Sequence, residues 1–245
     1  MRFPTIEGLI RRRVLVNFRV DPAVIRALLP APLRPQITGG AVQAGICLIR
    51  LETMRVAGLP AALGFDSENA AHRIAVEWDA AGGVQSGVYI PRRDTNSRIG
   101  VLAGGRLFPG EHHLARFDVR DDGRELAFAM SSRDGRTSVD LRARSARAMP
   151  STSAFASLAA ASRFFECGSL GYSPAGGGRL DGIRLVTRRW KLEPLEVDYV
   201  RSSWFGDTTR FPPGSVELDS ALIMRDTESV WHPLPSLPLI AVRAA

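Results

Sequence analysis

A mainly β protein, a β-rich α+β chain in one domain, is the fold class the sequence predicts, on three observations. Short runs of alternating apolar and polar residues recur along most of the chain. Turn-forming pieces such as Asp121-Asp122-Gly123 and Asp134-Gly135 separate those runs at hairpin distances, and only two stretches carry helical spacing. No internal repeat, low-complexity block or composition shift marks a linker, so residues 1–245 read as a single domain.

The first strand is set by Val14, Val16, Phe18 and Val20 alternating with Leu15, Asn17 and Arg19, which puts the apolar set on one face. Asp21-Pro22 then supplies an N-cap and a proline at the first helical position. Val24, Ile25, Leu28 and Leu29 follow at helical spacing until Pro30. Residues 41–56 are apolar on both faces and predict a long central strand covered on both sides. Further strands are expected over 73–78, 86–90, 115–119, 125–130, 137–144, 183–190, 196–200 and 215–223. A second helix is expected over 153–165 behind the cap Ser151-Thr152-Ser153. The glycine-rich stretch 168–182 breaks the dinucleotide-binding spacing and follows a helix, which predicts a loop. Residues 204–245, with Trp231 and His232, are left between two readings, closure of a barrel or a subunit contact.

Composition narrows the function. The chain has 45% hydrophobic and 23% charged residues, the balance of a globular protein with a sizeable core. All 32 basic residues except Lys191 are arginine, which suits the holding of carboxylate or phosphate and removes most amine chemistry. The net charge of +7 raises nucleic acid as a partner. The arginines are scattered among Asp and Glu, and the runs Arg11-Arg12-Arg13 and Arg188-Arg189 lack interleaved aromatics, so that partner is disfavoured. Cys47 and Cys167 lie far apart in apolar surroundings and read as unpaired thiols of a reducing compartment. No apolar leader and no membrane-spanning stretch is visible, and the expectation is a cytoplasmic protein that does not enter the membrane.

The residues Asn17-Phe18-Arg19-Val20-Asp21, Leu28-Leu29-Pro30-Ala31-Pro32-Leu33, Gly87-Val88-Tyr89, the segment 105–116 and Arg189-Trp190-Lys191-Leu192-Glu193-Pro194 together resemble the acetoacetate-decarboxylase-like superfamily, in its DUF2071 (YqjF-like) branch. The resemblance implies a cone-like, mainly antiparallel β-barrel with a central cavity, a few flanking helices and assembly into homo-oligomers. In the decarboxylases a segment similar to 105–113 ends in adjacent lysines, one forming a Schiff base with a β-keto acid while its neighbour depresses its pKa. Here those places fall on Glu111, His112, His113 or Leu114, none of which is lysine. The resemblance also places an anion-holding arginine within Arg11 to Arg13.

Several side chains are candidates for chemistry. Adjacent residues on a strand face opposite ways, so one histidine of His112-His113 turns inward, and His113, nearer the following strand, is the expected one. Glu77 shares a face with Arg73 and Ala75; if that face lines the lumen a carboxylate and a guanidinium enter it, and otherwise both are solvated. Arg13 is the expected anion clamp. Arg106 is expected as electrostatic support, and Arg92, with Arg93 and Asp94, as a wall of the cavity mouth or as a solvated turn. Lys191, beside Arg188 and Arg189, is the remaining amine and reads as a surface residue covering Trp190. The four histidines show no metal-binding spacing, no G-x-S-x-G elbow occurs, and no cofactor is expected.

Two functions follow as expectations. One is an enzyme working by acid–base catalysis on a small carboxylate, with Arg13 holding the anion and Glu77 and His113 carrying protons. The other is a non-catalytic protein holding a small anionic metabolite or apolar ligand in the same cavity.

Overall fold

In the computed structural model, residues 3–240 are described; Met1, Arg2 and the last five residues of the C-terminal segment lie outside them. The chain is mainly β, and its elements follow the sequence pattern closely at first. Strand β1 (Ile6–Val20) carries the alternating set noted above, and Val14, Val16 and Val20 are all buried on one face. Helix α1 (Pro22–Leu28) starts where the Asp-Pro pair requires, with the Asp21 carboxylate accepting from the Ala23 amide at 2.7 Å. Asp21→Ala is expected to cost about 1 kcal/mol, read as a shift in the urea midpoint with an unchanged slope.

Two short strands, β2 (Arg34–Pro35) and β3 (Ile37–Thr38), precede the central strand β4 (Ala41–Val56). Strands β5 (Phe65–Ala80) and β6 (Gly83–Thr95) follow as a long hairpin, then α2 (Arg98–Ala103). A meander of β7 (His112–Asp121), β8 (Glu125–Ser132) and β9 (Ser138–Ser145) leads to α3 (Leu158–Cys167). The chain finishes with β10 (Leu170–Ala175), β11 (Arg179–Thr187), β12 (Glu193–Ser202) and the long β13 (Val216–Pro238).

These strands form one sheet of 13 that closes on itself. The arc β13-β1-β4-β5-β6 is common to two closed circuits. One returns from β6 to β13 through β10 and β11, and the other through β7, β8, β9 and β12. Most pairings are antiparallel as expected, but β6 pairs in parallel with both β7 and β10. Of the two readings of the C-terminal segment, ring closure is what β13 performs, since it pairs with β1, β11 and β12.

The shared arc therefore has covered faces on both sides, which is why β4 reads as apolar throughout. One face packs Val16, Ile46, Leu48 and Ile74 against Phe128 and Leu141 of the meander in the main core. The other packs Leu15, Cys47, Ala71 and Leu222 against Phe155 and Phe165, carried on and just before α3.

Three sequence expectations are corrected. The second helix begins at Leu158, capped by Ser157, because the Ser153 hydroxyl and the Ala154 amide are both taken by the buried Asp219 carboxylate at 2.9 and 2.7 Å. The stretch 168–182 holds β10 and the start of β11, joined by a tight turn in which Gly177 and Gly178 take φ of 74° and 66°. Its glycines mark a hairpin instead of a loop. The helix α2 escaped notice because it is short and its apolar residues Ile99 and Leu102 are exposed. No helix among the described residues is long and apolar enough to cross a membrane.

Candidate functional site: an arginine-lined cavity

On the α3 side of the shared arc lies a cavity of about 80 Å³, lined in part by Arg13, Cys47, Arg73, Arg93, Phe108 and Trp231. A smaller space of about 20 Å³ adjoins it past Arg13, Arg73 and Gly168. The walls are otherwise apolar or glycine apart from Ser169 and Gln36, and no Asp, Glu, His or Lys is among the lining residues of either space.

Strand register brings the three arginines together. Across the sheet Leu15, Cys47, Ala71 and Arg93 form one row, and Asn17, Gly45 and Arg73 the next. Glycine in the middle of that second row lets the long Arg73 side chain cross it and donate through Nη2 to Asn17 Oδ1. A Cβ on Gly45 would lie 2.1 Å from the Val16 carbonyl oxygen, so no other residue fits there. Asn17 in turn donates to Ser220 Oγ at 3.2 Å, and Ser220 to Asp219 at 2.9 Å, so the clamp is anchored in β13.

Each guanidinium is covered on one face by an aromatic ring: Arg13 by Trp190 at 5.6 Å, Arg73 by Phe165 at 4.9 Å and Arg93 by Phe108 at 5.4 Å. Their edges are only partly satisfied. Arg13 Nε donates to Cys47 Sγ and Arg93 Nε to Ser173 Oγ, each at 3.2 Å. Arg13 Nη1, Arg73 Nε and Arg93 Nη2 are buried without a partner. Burial pushes both Arg73 and Arg93 down to about 10, which still leaves them cationic at neutral pH. Among the described residues none of the three pairs with a carboxylate, whereas neighbouring Arg11, Arg12 and Arg92 all do.

Arg13 lines the wall of this cavity. The face of β5 open to sequence reading also resolves: Arg73 and Ala75 face the cavity side. Glu77, farther along the same strand, turns away to pair with Arg34 at 2.7 Å and lines neither space. His113 sits across the sheet in an open groove with Glu111, Arg92 and Arg210, its Nδ1 3.7 Å from Asp134. The structure therefore does not bring Glu77, His113 and Arg13 together.

The imidazole beside Arg93 is His112. It lines a separate apolar pocket of about 110 Å³ that shares the Phe108 wall with the arginine cavity. Its burial, and then the charge of Arg93, hold it down at about 3, so it is neutral and bonded through Nδ1 to the Gly110 carbonyl at 3.2 Å. His72 is fully buried against Trp204, at 5.1 Å between ring centroids. No group of three or more potential metal ligands occurs among the described residues.

Arg92 is fully engaged, donating to Asp94 at 2.7 Å and to Asp134 at 2.8 Å. Arg106 is exposed and bonds the Leu102 carbonyl at 3.0 Å. Lys191 is exposed and pairs with Glu193 at 2.5 Å. The sequence singles out Arg92 and names Arg93 only beside it as a wall of the cavity mouth; it is Arg93 that lines the cavity, and a bulge is the reason. Plain alternation from Val88 and Ile90 puts Arg92 on the cavity face. The β5–β6 register slips between His72 and Ile74, beside Pro91, which inverts the faces beyond it.

The mainly β sheet closed in a ring, with few helices, has the acetoacetate-decarboxylase-like fold. An acetoacetate decarboxylase-like enzyme from Sphingomonas wittichii RW1 superposes with a TM-score of 0.59 at 14% identity, over 98% of this chain and 94% of that one. The acetoacetate decarboxylase of Legionella pneumophila gives 0.60 at 10% identity, over 99% and 90%. The enduracididine biosynthesis enzyme MppR complexed with pyruvate gives 0.58 at 13% identity, over 98% and 91%. At such identities the likeness is one of fold. Within that class the chain belongs to the DUF2071 family, described as an uncharacterized conserved protein, whose model matches residues 10–217. No curated protein sequence matches it.

Proposed function

We propose that this chain is a small-molecule pocket protein whose cavity captures a small anion, a carboxylate above all, on Arg13, Arg73 and Arg93. One observation carries the reading: three guanidiniums, each with a buried N–H that has no partner, line a space that holds no acidic side chain. A buried charged donor without a partner costs on the order of 1–3 kcal/mol, and an oxyanion recovers that cost at several donors at once. The small volume limits the ligand to a compact acid.

Binding is favoured over proton transfer by Glu77 and His113, since that carboxylate and that imidazole belong to different surfaces. Accordingly, Glu77→Gln and His113→Ala are expected to keep the wild-type anion response within about 1 °C in thermal unfolding.

The series oxalate, oxamate and oxamide tests the reading, because shape is nearly constant while charge falls from two negatives to none. At matched ionic strength oxalate should raise the unfolding temperature most and oxamide not at all. A ligand at a hundred times its Kd stabilises by about 2.7 kcal/mol, which is several degrees for a chain of this length. Equal shifts for all three would refute the proposal.

A further inference from the structure

We propose that Cys47 is a nucleophile for small carboxylates that carry an electrophilic carbon, an inference that rests on the anion-binding reading above. The Cys47 side chain lines the arginine cavity, and its sulfur accepts a hydrogen bond from Arg13 Nε at 3.2 Å. The Arg13 guanidinium thus lies directly beside the sulfur, and a thiolate is the form of cysteine that attacks carbon. Around it stand Arg73, 4% exposed with Nε unpartnered, and Arg93 with Nη2 unpartnered. Arg13 therefore serves the sulfur through Nε, while its Nη1 and the other two arginines remain for the ligand's carboxylate. An acid held on Arg73 and Arg93 in so small a space keeps its neighbouring carbon close to the sulfur, which turns an encounter into a positioned reaction.

The step balances without an oxidant. Cys47 gives up its proton to solvent, and the sulfur lone pair forms the S–C bond. With an α-halo acid the carbon–halogen pair leaves as halide. With an α,β-unsaturated acid the π pair moves to the α carbon, which takes a proton from water.

Cys167 is an internal control, since it is the other free cysteine and is exposed. The full chain is treated with iodoacetate or with neutral iodoacetamide, and adducts at both cysteines are followed by peptide mass spectrometry. At Cys47 the ratio of iodoacetate to iodoacetamide rates should exceed the ratio at Cys167 by about tenfold or more, because two guanidiniums attract only the charged reagent. Oxalate should slow iodoacetate at Cys47 and leave Cys167 unaffected. Cys47→Ser should keep the oxalate-induced thermal shift and lose the preferred adduct.

If oxalate stabilises the protein but Cys47 stays unmodified, or shows no preference for iodoacetate, the thiol inference falls and the anion site stands. If oxalate gives no shift and Cys47 reacts alike with both reagents, the anion reading itself has failed.

Discussion

Replacing Arg93 with methionine is expected to raise the melting temperature of the ligand-free protein and to remove most of its response to oxalate. Arg93 is a part-buried cation with its Nη2 buried and no carboxylate partner among the described residues, held by one long bond to Ser173 and by the Phe108 ring. Methionine has a similar length, packs well against an aromatic face and carries no charge to desolvate. Replacing buried ionic groups by apolar ones of like volume commonly stabilises by about 1–4 kcal/mol, and here no acid is orphaned by the change. A gain of about 2 kcal/mol is a rise of roughly 4–8 °C for a chain of this length. Opposite signs for stability and ligand response mark a residue kept for binding. A fall in melting temperature with the oxalate shift intact would assign Arg93 a structural role.

The contrasting case is Asp94, where substitution by alanine should cost about 3–5 kcal/mol, because breaking a buried pair leaves its partner uncompensated. The Asp94 carboxylate is fully buried; it accepts from Arg92 Nη2 at 2.7 Å and from Thr137 Oγ1 at 3.1 Å. Without it, Arg92 keeps only Asp134, which is a third exposed. Urea unfolding measures the loss directly, and a change below about 1 kcal/mol would contradict the buried-pair account. Arg92 holds the Asp134 carboxyl well below the usual carboxylate range. That contribution is complete above the ordinary carboxylate value near pH 4 and is lost as the pH falls through the folded-state value. The two neighbours Arg92 and Arg93 thus have opposite economies: one is neutralised inside the fold, the other is left open.

Much of this was legible in the residues. Alternation located β1, the two covered faces located β4, and the Asp-Pro pair located α1, since each depends only on local pattern. The lack of lysine at 111–114 was legible as well. The convergence of Arg73 and Arg93 was not, because it depends on a register slip beside Pro91 that reverses which of two adjacent arginines looks inward. Gly45 gave no sign that it is the gap through which Arg73 reaches Asn17. Cys47 read as a small core hydrophobe, and it is buried as one would be; only the Arg13 contact sets it apart. Long-range partners of Glu77 and His113, which lead them to Arg34 and Asp134, likewise come from pairing that local pattern does not encode.

A crystal of the protein grown with oxalate decides whether the cavity is an anion site. Oxalate density is expected with oxygens within about 3.2 Å of Arg13 Nη1, Arg73 Nε and Arg93 Nη2. Ordered water alone at those three nitrogens, with oxalate bound elsewhere or nowhere, would contradict it.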